Sequence, residues 1–142
     1  MPEQYDALKL ENQICFPLYA AAKEVVRLYR PFLEEIELTY TQYIVMLVIW
    51  EQDGMSVKEL GDKLLLDSGT LTPVLKALEQ KGYVLRKRSP QDERSVRIHR
   101  TELGFKLRER AAEIPRRMRA CIPLNAAETA ELYHLLYKVL GK

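Results

Sequence analysis

The sequence predicts a mainly α chain with one small β-ribbon, an α+β fold, and three observations predict it. Val57, Leu60 and Leu64, then Leu71, Val74, Leu75 and Leu78, repeat at helical spacing on either side of the turn-and-cap cluster Asp67-Ser68-Gly69-Thr70, the pattern of two short amphipathic helices joined tightly. Residues 83–88 and 94–100 are arginine-rich runs that flank Ser89-Pro90-Gln91-Asp92-Glu93, the pattern of a hairpin. Longer helical stretches lie before and after this core. A helix-turn-helix with a basic ribbon beside it is a winged helix-turn-helix, whose second helix enters the major groove of DNA.

A first helix is expected from Leu8 to Arg30, with Ile14, Leu18, Ala21, Val25 and Leu28 as its apolar stripe and Pro31 just beyond it. Pro17 falls inside that span, where it removes the backbone bond to Gln13, so a bend is expected within a turn of Cys15. From Thr41 to Trp50 the chain is apolar almost all round, which reads as a buried helix, and Asp53-Gly54 breaks it. Ser56 and Glu59 form the Ser-x-x-Glu arrangement that starts the first helix of the pair. The second helix stops at Gly82. Its start stays open, because Pro73 fits the third position of a helix capped by Thr70 and fits less well after a Ser68 cap. After the ribbon, Thr101 caps a long charged helix, kinked at Pro115 and ending near Pro123. Asn125-Ala126-Ala127-Glu128 starts a final helix whose Leu132, Leu135, Leu136, Val139 and Leu140 form a broad apolar face. The expected organisation is one domain over residues 1–142, with the winged module at 39–101. Residues 1–35 and 102–142 supply dimerisation helices, since helix-turn-helix proteins commonly read two half-sites as dimers.

At 142 residues the chain is long enough to bury roughly two thirds of its surface. The net charge of +2 is unevenly spread. Residues 1–55 carry 4 basic and 9 acidic side chains, and residues 56–120 carry 16 and 9. A positive face on a near-neutral protein is an electrostatic footprint for phosphate. No apolar run is long enough to span a membrane and no secretory leader opens the chain, so the expected location is cytoplasmic. Two widely separated cysteines do not make a disulfide scaffold, and with His99 and His134 they lack zinc-ligand spacing, so neither a metal nor a cofactor is expected.

The DNA-binding candidates are Ser68, Thr70, Thr72 and Lys76 at the start of the recognition helix, and Arg86, Arg88, Asp92 and Arg94 on the wing. Hydroxyls and a lysine touch phosphates or base edges alike, so those two classes stay unsorted. An arginine at a hairpin tip suits a narrow minor groove, and Asp92 can hold the Arg94 guanidinium in place; the plainer alternative is a solvated ion pair. Periodicity alone reads Cys15 as a small core hydrophobe. Tyr19, Tyr29, Tyr40 and Tyr43 read equally well as core residues with wet hydroxyls, and His134 as a surface or interface residue.

The order of helices around the winged module resembles the MarR family of bacterial transcription regulators. Leu10-Glu11-Asn12-Gln13-Ile14-Cys15-Phe16, Leu38-Thr39-Tyr40-Thr41-Gln42-Tyr43, Leu66-Asp67-Ser68-Gly69-Thr70-Leu71-Thr72-Pro73 and Asp92-Glu93-Arg94-Ser95-Val96 resemble its organic-hydroperoxide-sensing branch, the OhrR repressors. That resemblance implies a homodimer that holds a pseudo-palindromic operator while Cys15 is reduced, and releases it when an organic hydroperoxide oxidises Cys15 to a sulfenic acid. It implies that Tyr29 and Tyr40 of the other subunit hydrogen-bond the reactive thiolate. It further implies that Cys121 matches the resolving thiol of the two-cysteine members, which condenses with Cys15 across the dimer. Two other functions are weighed: a MarR-like repressor released by a small aromatic ligand, with structural cysteines, and a thiol peroxidase. The second lacks any nucleophile–base–orienter set in the sequence, so no enzyme is expected.

Overall fold

The computed structural model describes residues 4–91 and 95–142. Residues 6–12 form two short 3-10 turns rather than helix. The first helix, α1, spans Cys15–Glu34, which corrects the expected Leu8 start and Arg30 end. Pro17 therefore sits in the first turn, where no intrahelical N–H bond is lost, and causes no bend. Pro31 lies inside the helix rather than after it. The next helix, α2 (Tyr40–Glu51), begins with a capping box: Thr39 and Gln42 each satisfy the other's backbone N–H. Gln42, Tyr43, Val45, Met46, Val48 and Ile49 are buried, so α2 is the central helix the sequence predicts.

Helix α3 (Val57–Leu64) starts at the Ser56–Glu59 capping box and ends at Leu65 with φ 56°. Helix α4 (Ser68–Gln80) is capped by Asp67, which accepts from the Thr70 N–H at 2.7 Å. The cap thus lies one residue before Ser68 and three before Thr70, and Pro73 lies within the helix. Strand β2 (Val84–Arg88) pairs antiparallel with β3 (Val96–Arg100), with Val84 opposite Arg100 and Arg88 opposite Val96. The Ser89 N–H to Ser95 carbonyl bond, 2.8 Å, extends the ladder toward the tip. A two-residue strand not foreseen from the sequence, β1 (Met55–Ser56), joins the other edge of β3.

The expected long helix is two helices, α5 (Glu102–Ala111) and α6 (Ile114–Cys121), with Pro115 in the first turn of the second. Pro115 has no N–H to continue α5, and a new helix begins there instead of a kink. Helix α7 (Ala126–Val139) has the expected Asn125–Glu128 capping box. One core runs from Leu33 and Ile36 through α2, Leu60, Leu71, Leu75, Leu78 and Ile98 to Leu107, Ile114 and Met118. None of the residues of α7 is buried in the single chain.

Candidate functional site

Leu71, Leu75 and Leu78 bury one side of α4, so the opposite side faces outward. Ser68, Thr72 and Lys76, four residues apart, form a row that runs from the edge of the buried side outward; Ser68 and Lys76 are exposed and Thr72 is half-buried. The Thr72 hydroxyl donates to the Ser68 carbonyl at 2.7 Å, which leaves its oxygen as an outward acceptor. Thr70 flanks this face, and its backbone N–H and hydroxyl hold the Asp67 carboxyl below the usual carboxylate range, which keeps the cap charged. Beside Thr72 a groove of about 490 Å³ is lined by Ser56, Val57, Lys58, Arg86 and Val96. Lys58 is the residue the sequence reasoning missed. Its position in the first turn after a recognised capping box was the available signal.

The wing arginines divide by what they touch. Arg86 donates from its backbone N–H and its Nε to the two oxygens of Glu79, at 3.1 and 3.2 Å, and ties β2 to the last turn of α4. Arg97 donates to the Gly54 carbonyl at 2.9 Å. Arg100 donates to the Ile49 and Trp50 carbonyls at 3.1 and 2.7 Å, and its guanidinium carbon lies 4.2 Å from the centre of the Phe105 ring. Those carbonyls belong to the last turn of α2 and have no partner within the helix. Arg88 is exposed at the end of β2. Asp92 and Arg94, the two tip candidates, lie outside the described residues.

Cys15 is exposed as the first residue of α1, so in the single chain it is not a core residue. Tyr29 and Tyr40 stack at 5.0 Å between ring centres, and Tyr43 lies 5.6 Å from Tyr29 and 6.4 Å from Tyr40. Burial, then the neighbouring tyrosine, raises the Tyr29 hydroxyl above its ordinary range, and burial raises Tyr40. Tyr43, 2% exposed, is pushed up to about 12, mainly by burial. All three therefore remain protonated donors near neutral pH. Tyr19, expected as a core residue, is instead 62% exposed with Lys23 over its ring.

The structure brings the tyrosines together and does not bring Cys15 to them. Fourteen residues of helix separate Cys15 from Tyr29, a rise of about 21 Å. Cys121 is exposed at the end of α6. Four residues before it, Arg117 binds Glu35 and covers Phe32. Phe32 is about 25 Å along α1 from Cys15 by the same rise. The two thiols of one chain thus belong to opposite ends of α1, and a disulfide needs Cα atoms within roughly 7 Å. Between α1 and α7 runs an apolar groove of about 370 Å³, lined by Pro17, Leu18, Ala21, Val25, Leu132 and Leu136. Among the described residues no group of three His, Cys, Asp or Glu side chains is placed to hold a metal, and no helix is long and apolar enough to cross a membrane.

A model of the family described as transcriptional regulator SarA/Rot matches residues 27–110. The organic hydroperoxide resistance transcriptional regulator of Bacillus subtilis is 44% identical over 140 residues, 99% of this chain and 95% of that protein. Among solved structures, AbfR of Staphylococcus epidermidis, reduced and bound to DNA, superposes with a TM-score of 0.80 at 34% identity, covering 96% of this chain and 94% of that one. Its overoxidised form, also bound to DNA, has the same TM-score and identity and covers 96% of both chains. The disulfide-formed AbfR superposes less well, with a TM-score of 0.63 at 32% identity, covering 96% of this chain and 90% of that one.

Proposed function

The chain belongs to the MarR- and SarA/Rot-type DNA-binding transcriptional regulators, in the branch of the organic hydroperoxide resistance regulators, and from that premise we propose that it is a homodimeric repressor switched by oxidation of Cys15. The observation that carries this reading is the split sensor. An exposed thiol stands at one end of α1, and a cluster of tyrosine donors at the other end is too far away to reach it in the same chain. A second copy with α1 running the opposite way supplies what one chain lacks. The uncovered leucines and tyrosines of α7, beside the apolar groove along α1, are the surface on which that copy packs. Residues 1–35 and 102–142 are thus the dimerisation elements, and residues 39–101 the reader.

In the reduced dimer, Ser68, Thr72 and Lys76 of each α4 face the major groove, with Thr70 at the flank. Arg88 reaches the flanking backbone, Arg94 enters the minor groove with Asp92 holding its guanidinium, and Arg86 orients the wing through Glu79. The Cys15 thiolate, held by Tyr29 and Tyr40 hydroxyls of the second copy, attacks the terminal peroxide oxygen. Cys15 becomes the sulfenic acid, and the peroxide leaves as an alkoxide that takes a proton to become the alcohol. The Cys121 thiolate of the second copy then attacks the Cys15 sulfur; the S–S bond forms and hydroxide leaves, to be protonated to water. Closing the bond moves α6, which follows α5 and, through Thr101, the wing. A dimer reads its half-sites only at one spacing of the two recognition helices, so DNA is released. The AbfR structures favour this sequence. The overoxidised protein is still on DNA and matches this chain as well as the reduced one does, whereas the disulfide form matches it less well.

Purified reduced protein should bind a duplex carrying its promoter palindrome and lose that affinity after one equivalent of cumene hydroperoxide. A covalent dimer should appear on non-reducing gels, and dithiothreitol should restore binding. A Cys15→Ser protein that still releases DNA at low peroxide would move sensing elsewhere and favour a bound-ligand inducer. A Cys15–Cys121 peptide formed within one chain would defeat the cross-subunit step.

A further inference from the structure

Arg117 stands four residues before Cys121 on α6, so the two side chains share one face of the helix, one turn apart. Two of the Arg117 terminal nitrogens donate to the two Glu35 carboxylate oxygens at 2.8 and 3.1 Å. Its guanidinium carbon lies 4.3 Å from the centre of the Phe32 ring. A carboxylate fork and an aromatic face together fix both the place and the plane of the cation. The hydrogen bonds it donates to Glu35, opposed by some loss of solvent, hold Arg117 above the ordinary arginine range; nearby negative charge, Glu35 first, adds to it. Among the described residues, Glu35 just after α1, Arg110 on α5, Glu113 just before α6 and Arg116 on α6 are the charged groups around it. An ion pair this exposed adds little to stability. What the arrangement supplies is a fixed positive charge one helical turn from a thiol.

We propose that Arg117 is a positioning residue for the resolving step, holding a cation beside Cys121 as its sulfur becomes the nucleophile that captures oxidised Cys15. The proposal rests on the two-thiol reading above. Capture competes with a second peroxide molecule, which carries the Cys15 sulfenic acid on to the sulfinic acid while itself becoming the alcohol. Only the disulfide is reset by ordinary thiols. Arg117 therefore decides how much peroxide the protein meets before Cys15 is carried past the state that Cys121 can capture.

The test separates the residue from the reading. In a Cys15→Ser background, Cys121 is the remaining thiol, and its alkylation by iodoacetamide is followed from pH 6 to 10. Arg117→Gln should slow the reaction at pH 7 by about threefold or more, the effect of removing a nearby cation after solvent screening. Arg117→Lys should restore part of that rate, and thermal melts check that both variants are folded. In the two-cysteine protein, Arg117→Gln should leave Cys15 sulfenic acid formation unchanged by dimedone trapping. It should slow the disulfide by the same factor and raise Cys15 sulfinic acid under excess cumene hydroperoxide. An unmoved alkylation profile beside a normal disulfide would overturn the role of Arg117 alone. No Cys15–Cys121 disulfide in the unsubstituted protein would overturn the two-thiol reading, and this proposal with it.

Discussion

In the proposed switch, movement passes from the thiols to the wing through the joint between α5 and the strand that enters the wing, and Gly104→Ala tests that joint. A Cβ at Gly104 would lie 2.1 Å from the Tyr83 carbonyl oxygen and 2.9 Å from its carbon. An ordinary carbon–oxygen contact is about 3.3 Å, so the joint would have to open by about 1.2 Å. The obstacle is backbone, and it is tied down on every side. The Tyr83 carbonyl accepts from the Thr101 N–H at 3.1 Å, and the Tyr83 N–H donates to the Leu78 carbonyl at 3.0 Å. The Gly104 carbonyl accepts from Trp50 Nε1 at 2.8 Å. Alanine recovers at most about 1 kcal/mol of helix propensity, while forcing apart rigid neighbours costs about 3 kcal/mol. The net loss of about 2 kcal/mol should lower the melting temperature by about 6 °C in a chain of this length. Circular-dichroism melts at one fixed protein concentration measure it, since dimer stability depends on concentration. Gly69→Ala is the contrasting variant: its nearest neighbour is Asp67 Oδ1 at 3.4 Å, so it should melt no lower than the parent, yet weaken DNA binding from the outer face of α4. A Gly104→Ala protein that melts at or above the parent would refute the close joint, and with it the route from α5 to the wing.

Lys76→Ala should reduce the slope of log affinity against log salt by about one, the loss of one phosphate contact. Arg100→Met should leave that slope unchanged while lowering stability by about 1–3 kcal/mol, because the Ile49 and Trp50 carbonyls lose their donor; filter binding over a salt series and thermal melts check the pair. Tyr43 carries a folded-state value of about 12 against an ordinary 10. A raised value means stability fully present below pH 10 and lost as pH rises toward 12; Tyr43→Phe should remove that alkaline loss and the latest-ionising tyrosine in a 295 nm titration. Lys81 donates to the Glu37 carbonyl and, at 3.0 Å, to Gln42 Oε1 inside the α2 capping box. Lys81→Met should therefore shrink the ratio of oxidised to reduced dissociation constants while the disulfide still forms at the parental rate, read by gel shift and non-reducing gels together.

What the sequence revealed and what it hid follow the range of the interactions concerned. Ser56 with Glu59 and Asn125 with Glu128 are local signals, three residues apart, and both appear as capping boxes. Thr39 with Gln42 carried the same signal and went unread beside the apolar run of α2. The prolines misled because their effect depends on position from the helix start: Pro17 and Pro115 occupy first turns, where a missing N–H costs no bond. The wing arginines were legible as charge and not as role. The partners of Arg97 and Arg100 lie more than forty residues back, at Gly54, Trp50 and Ile49, and no periodicity reports such a contact.

The proposed sensor is split between two chains for the same reason of range. The spacing of Cys15 and Tyr29 within one helix is fixed by its rise, so sequence plus helix geometry separates them by about 21 Å before any packing is considered. Convergence of Tyr29, Tyr40 and Tyr43 required α1 to fold back on α2, which the structure supplies. Tyr40 and Tyr43 lie on α2, whose first turn holds the Gln42 side chain bonded to Lys81 at the end of α4, and whose last turn is closed by Arg100 of the wing. A displacement of α2 therefore acts on the recognition helix and on the wing through separate bonds. In the proposed switch a thiol reaction outside the reader needs no long chain of contacts to change both DNA-facing elements at once, because one buried helix carries Tyr40 and Tyr43 and bonds to the end of α4 and the base of the wing.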